Sequence, residues 1–142
     1  MDILFSNVTA VLMDDADTVL KDAFVLVSQG KIAMVSTARP DGFSGREIDG
    51  RGKVLMPGLV NAHTHVPMTL LRGWADGFDL HTWLHEHIFP AEARFDARSV
   101  RAGTALGLAE MIAAGVTSFS DMYFFCDEIV EETIAAGLSA NI

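Results

Sequence analysis

The sequence predicts an α/β fold in which a strand-rich lead-in precedes a parallel sheet or barrel. Three observations predict it. The first third holds only short, β-branched apolar runs separated by turn residues. Near residue 56 the texture changes, and apolar positions begin to recur at helical spacing. From there strand, helices, strand and helix alternate, and right-handed crossovers make such strands parallel.

Each element has a local reason. Ile3 to Met13 reads as a strand, broken by Asp14-Asp15-Ala16-Asp17, whose short carboxylates favour turns. Ala23 to Val27 is a second run, and Gln29-Gly30-Lys31 turns the chain tightly into Ile32-Ala33-Met34-Val35. A loop through Pro40-Asp41-Gly42 follows. Val54 to Val60 has the unbroken apolar character of a buried parallel strand, apart from Pro57-Gly58. Leu80, Trp83, Leu84 and Ile88 predict a helix that Pro90 ends. Ser99 to Ala114 predicts a longer helix with Leu106, Ala109, Ile112 and Ala113 as its apolar stripe and Gly115 at a left-handed cap. Val116 to Phe119 reads as a short buried strand. Asp127 is placed as the cap of a last helix, in which Val130, Ile134 and Leu138 lie at i, i+4, i+8. Another strand is expected to begin at Ser139 to Ile142.

Composition narrows the function. With 10 Lys+Arg against 19 Asp+Glu the net charge is −9, which argues against a nucleic acid or an anionic membrane as partner. Cys126 is the single cysteine, so neither a disulfide framework nor a cysteine zinc ribbon is available. No apolar run approaches the ~18 residues of a spanning helix. No Lys or Arg precedes Lys21, so the basic start of a signal peptide is missing. A soluble, cytoplasmic protein is expected.

The sharpest chemical feature is Asn61-Ala62-His63-Thr64-His65, directly after Leu59-Val60. Residues i and i+2 of a strand face the same way, so His63 and His65 project to one side. They would sit at the carboxyl end of a parallel strand, where α/β barrels carry their active sites. Neutral imidazole suits zinc and similar divalent ions, although a catalytic zinc usually takes three protein ligands. The same pair on an arbitrary surface would mean nothing; its place at the end of an apolar strand points to metal.

Val54-Leu55-Met56-Pro57-Gly58-Leu59-Val60-Asn61-Ala62-His63-Thr64-His65 resembles the first barrel strand of the amidohydrolase superfamily. Pro67-Met68-Thr69-Leu70-Leu71-Arg72-Gly73, Trp83-Leu84, Pro90-Ala91-Glu92 and Asp121-Met122-Tyr123-Phe124 resemble its methylthioadenosine/S-adenosylhomocysteine deaminase branch. The resemblance implies the N-terminal part of a (β/α)8 TIM-type barrel, residues 56–142. Residues 1–55 would be strands of a small composite β-sandwich domain. It implies His63 and His65 as metal ligands, Trp83 as an aromatic lining the substrate pocket, and Glu92 as the acceptor for ribose hydroxyls. The implied cofactor is one divalent metal, zinc first, with iron, nickel and manganese also compatible. The implied reaction is hydrolytic deamination of an adenosine-type nucleoside such as S-adenosylhomocysteine or methylthioadenosine, in which activated water displaces ammonia.

Other residues have plainer readings. His81 and His85 are i, i+4 with His87 nearby, but no third ligand is spaced to join them, and a half-exposed helix face accounts for them. Arg72 reads as a brace, Glu110 as a buried structural acid, and Cys126 as a buried small hydrophobe. Met56, Met68, Met111 and Met122 read as core filler. Glu92, on residue type alone, would be a solvated surface acid. The resemblance implies that Asp121-Met122-Tyr123 is the end of the second barrel strand, supporting the site without reacting.

Eight βα units need ~250 residues, whereas the stretch after Leu55 has room for two to three at roughly 30 each. The resemblance places the remaining metal histidine, a substrate-contacting histidine, the proton-shuttling glutamate and the last-strand aspartate in later strands. No catalytic residue is therefore expected here, and the isolated chain is expected to be inactive. The expected partner is a small nucleoside. An open barrel, with bare strand edges, is expected to self-associate. Two alternatives stand beside this one. One is another amidohydrolase, such as a guanine or cytosine deaminase or a chlorohydrolase; the other is a non-catalytic, metal-free fragment.

Overall fold

Alternation in Ile3–Val11 buries Leu4, Ser6, Val8 and Ala10 on one side, and this segment forms the central strand β1 of the N-terminal unit. The computed structural model describes residues 1–142 and divides them into two compact units, Met1–Pro57 and Gly58–Ile142. In the first unit β1 pairs antiparallel with β2 (Val19–Ser28), which pairs antiparallel with β3 (Lys31–Ser36). On its other side β1 pairs in parallel with β4 (Arg46–Asp49) and, further along, with β5 (Val54–Leu55). The β2–β3 turn has Gln29 at φ 51° and Gly30 at φ 74°, the double positive φ that matches strand twist in a two-residue hairpin. Val8, Ala10, Ala23 and Val25 form the core, with Phe5, Leu20, Val35 and Leu55 packed against it.

β1 ends two residues before Met13, because Asp14 closes a turn there. Its carbonyl accepts from Asp17 N at 3.0 Å and its carboxylate from Thr18 N at 2.8 Å. The apolar run Val54 to Val60 is two strands, not one: β5 joins the first sheet, and Leu59 starts the second. Pro57-Gly58 separates them, and Val54, Leu59 and Val60 are exposed rather than buried.

Charged groups clamp β4. Arg39 donates to both oxygens of Glu47, at 2.7 and 2.8 Å. This bidentate bond, with a further one from Ser6, holds the Glu47 carboxyl at about 2 instead of its ordinary 4.5. Bonds from Arg51, then Asn7, lower Asp49 to about 2 as well. Both carboxylates ionise more readily in the folded chain, so their stabilisation is complete above their unfolded pKa values and disappears as pH falls through the folded ones. The urea midpoint of the N-terminal unit is expected to hold steady near neutrality and fall as pH drops from about 4.5 toward 2. Glu47→Gln should flatten that slope, and an unchanged slope would contradict the clamp.

The second unit is a three-stranded parallel sheet in the order β6–β7–β8, formed by Leu59–Thr64, Val116–Asp121 and Ser139–Asn141. α3 (Ala97–Ala113) links β6 to β7, and α4 (Cys126–Ala136) links β7 to β8. Asp96 caps α3 by accepting from Ser99 N at 2.8 Å, and Gly115 at φ 79° follows its C-terminus. The buried face of α3 is Val100, Gly103, Thr104, Gly107, Leu108 and Met111. The expected stripe is corrected, since Leu106, Ala109, Ile112 and Ala113 are exposed. The reason is close approach: a Cβ on Gly103 would lie 2.4 Å from the Pro67 carbonyl oxygen, and one on Gly107 2.6 Å from Val66 Cγ1. In α4 the buried residues are Ile129 and Thr133, whereas Val130 and Ile134 are exposed. Asp127 lies inside that helix; the residue before its first turn is Phe125, at φ 57°.

Between β6 and α3 the chain makes a 3-10 segment, Val66–Leu71, and then a composite helix. That helix runs through α1 (Leu80–Thr82), a π-helical stretch (Trp83–Ile88) and α2 (Phe89–Glu92). Asp79 caps it, accepting from His81 N and Thr82 N at 3.0 and 3.2 Å. Pro90 does not end it. In a regular α-helix proline has no N–H for the carbonyl four residues back and crowds it. Here Phe89 N–H bonds to Leu84, five residues back, and this wider turn admits the ring. No helix is long and apolar enough to cross a membrane.

Candidate functional site

The site is built where β6 and β7 end side by side. Their parallel pairing sets Thr64 opposite Asp121, and Thr64 Oγ1 donates to the Ser120 carbonyl at 2.8 Å. His63, in β6, and His65, one residue past its end, have ring centroids 5.1 Å apart and planes at 83°. His65 Nδ1 lies 2.7 Å from the Met122 carbonyl oxygen. A carbonyl only accepts, so Nδ1 is the donor in this bond, and in a neutral ring that leaves Nε2 as the lone-pair nitrogen. This orientation of a ring by a backbone carbonyl is what metal-ligating histidines use. No third His, Cys, Asp or Glu joins the pair in a metal-holding cluster. The donor set therefore fits half of a zinc-type site.

Asp121 fixes this strand end. Its buried carboxylate accepts from Val66 N at 3.2 Å and from Met122 N at 2.9 Å. Burial raises its pKa, and the two N–H donors oppose that rise. It holds the turn after His65.

A cleft of about 430 Å³ opens beside His65, lined also by Met68, Trp83, Ile88, Glu92 and Tyr123. It brings together an imidazole that directly follows β6 and an indole and a carboxylate from the composite helix. His63 stands next to His65 but outside this lining. Glu92 is half-buried rather than freely solvated, and Tyr123 Oη donates to its Oε1 at 2.6 Å. Burial, then the Glu92 bond and charge, push the tyrosine's ionisation well above its ordinary range. The Tyr123–Glu92 bond is the feature that sequence reasoning missed. Its only signal was the position of Tyr123 just beyond β7.

The remaining titratable candidates do not line the cleft, whereas Met68 and Met122 do. His81 and His85 face each other with ring centroids 4.4 Å apart, and His87 stacks near Phe78 at 4.3 Å. Arg72 is a brace, 2.6 Å from Glu110. Glu110 is exposed rather than buried, because α3 turns that position outward. Cys126 is also exposed, at the start of α4, with Sγ 3.6 Å from the Tyr123 carbonyl. Of the four methionines only Met111 is core, and Met56 and Met122 are exposed.

Residues 54–140 match the amidohydrolase family. The 5'-deoxyadenosine deaminase of Methanosarcina mazei is 43% identical over 141 residues, covering 99% of this chain and 32% of that protein. The 5-methylthioadenosine/S-adenosylhomocysteine deaminase of Acetivibrio thermocellus is 39% identical over 145 residues, covering 100% of this chain and 34% of that one. Among solved structures, an adenosine deaminase from Xanthomonas campestris with bound zinc superposes with a TM-score of 0.88 at 40% identity, covering 98% of this chain and 33% of that one. The chain thus spans about a third of the length of the curated relatives it matches.

Proposed function

The chain belongs to the amidohydrolase family, and we propose that it is the N-terminal third of a zinc-dependent deaminase of adenosine-type nucleosides. On this reading residues 1–55 are strands of a composite β-sandwich, and residues 56–142 are the first βα units of a (β/α)8 barrel. The observation that carries the reading is the cleft that gathers His65, Trp83 and Glu92 at the carboxyl ends of parallel strands. The curated relatives named above, both nucleoside deaminases, support the substrate class.

His63 and His65 would hold one divalent metal through imidazole nitrogen. Such a metal supplies a water that is nucleophilic at neutral pH. His65 is held in the required tautomer by the Met122 carbonyl. Trp83 would pack against the nucleoside, giving apolar contact and a flat wall. Glu92 would accept from the ribose hydroxyls, a charge-assisted bond that orients the base toward the histidines. The proton-transfer groups would come from further strands, so this chain binds and orients but does not complete the reaction.

A substrate panel on the intact enzyme that contains these residues tests the assignment. Ammonia release is expected from 5'-deoxyadenosine, methylthioadenosine and S-adenosylhomocysteine, and little from guanine or chlorinated triazines. Preference for guanine or a triazine would replace the adenosine reading with another amidohydrolase activity.

A further inference from the structure

We propose that Tyr123 is a positioning residue that presents Glu92 to the sugar of the substrate, acting through the carboxylate rather than on the reacting atoms. The inference rests on the reading of Glu92 as the ribose acceptor and goes one residue beyond it. Tyr123 Oη donates to Glu92 Oε1 at 2.6 Å, across 31 residues of sequence. That bond engages one oxygen and leaves Oε2 as the acceptor for a ligand. A glutamate side chain has several rotatable bonds, and ordering it on binding costs conformational entropy. A donor already in place meets that cost before the substrate arrives.

The tyrosine is itself well held. Its ring stacks on Phe124 with centroids 4.1 Å apart and planes at 23°. Its neighbour Met122 supplies the carbonyl that fixes His65, and its own ring lies 6.4 Å from the His65 ring. The dipeptide Met122-Tyr123 therefore ties the imidazole and the carboxylate to one strand end. The spacing between the metal-facing and sugar-facing ends of the cleft is set by that segment. Because burial and Glu92 hold the phenol in its protonated form, it stays a donor across the working pH range of an enzyme.

The test uses the zinc-loaded intact enzyme with adenosine and 2',3'-dideoxyadenosine as substrates. Glu92→Gln should raise KM for adenosine and leave KM for the dideoxy compound unchanged. Tyr123→Phe keeps the ring and loses only the hydroxyl. It should raise KM for adenosine about tenfold, the scale of one charge-assisted hydrogen bond, with kcat, zinc content and the dideoxy KM unchanged. Equal changes for both substrates, a fall in zinc content, or no change at all would overturn the role of Tyr123. If Glu92→Gln shows the hydroxyl dependence and Tyr123→Phe does not, Tyr123 alone is refuted. If Glu92→Gln shows none, the ribose reading of Glu92 fails, and the positioning role fails with it.

Discussion

Replacing His65 by alanine in the intact enzyme is expected to remove its zinc and lower kcat/KM by at least about a thousandfold. Metal catalysis of this kind is worth several kcal/mol of transition-state stabilisation, and each 1.36 kcal/mol is tenfold in rate. Of the proposed pair His65 is the better held, because its Nδ1 lies 2.7 Å from the Met122 carbonyl oxygen. His63→Ala should act in the same direction. His81→Ala is the informative control, since His81 pairs only with His85, away from the cleft. Metal analysis and rate together check the outcome; full zinc retention in the His65 variant would remove it from the ligand set.

The second large effect is structural. Gly103→Ala should destabilise the C-terminal unit, although alanine is intrinsically the better helix former by about 1 kcal/mol. The added methyl would stand 2.4 Å from the Pro67 carbonyl oxygen and 3.0 Å from Pro67 Cα. Both are backbone atoms, so no side chain can swing away, and overpacking of this kind costs about 1–3 kcal/mol. The displaced segment starts just after His65, and its Val66 N–H is bonded to Asp121. Zinc affinity in the intact enzyme should therefore fall in the same variant. Chemical denaturation checks the stability change, and a more stable Gly103→Ala variant would show that the Val66–Leu71 segment is free to move off α3.

These two positions show what could be read from the sequence and what could not. The shared side of His63 and His65 follows from the two-residue period of a strand, a local rule that needs no tertiary information. The same holds for the hairpin at Gln29-Gly30 and the left-handed Gly115 after α3, where a turn's backbone demands dictate the residue. The buried face of α3 departs from the apolar pattern for a definite reason. Pattern rules assign large apolar residues inward, but the Val66–Leu71 segment crosses α3 so closely that glycine must face it. Leu106 and Ile112 consequently lie on the exposed side.

The cleft was less accessible still. Nothing local links position 92 to position 65, and Trp83 and Glu92 were reached only through resemblance to known deaminases. Their meeting depends on a π-helical turn that carries the helix past Pro90, where the ordinary rule stops it. The Tyr123–Glu92 bond joins the end of the composite helix to the residue two beyond β7, 31 positions apart. Long-range hydrogen bonds of this kind leave no periodic trace in the sequence.

On the proposed function, this chain carries the binding half of a deaminase site, and further strands complete its chemistry. Ammonia release from 5'-deoxyadenosine tests it most directly, measured with zinc on the purified 142-residue chain and, in parallel, on the intact enzyme that contains it. The expected result is turnover by the intact enzyme and none by the 142-residue chain. Turnover by the 142-residue chain alone, or no deamination by the zinc-loaded intact enzyme, would contradict it.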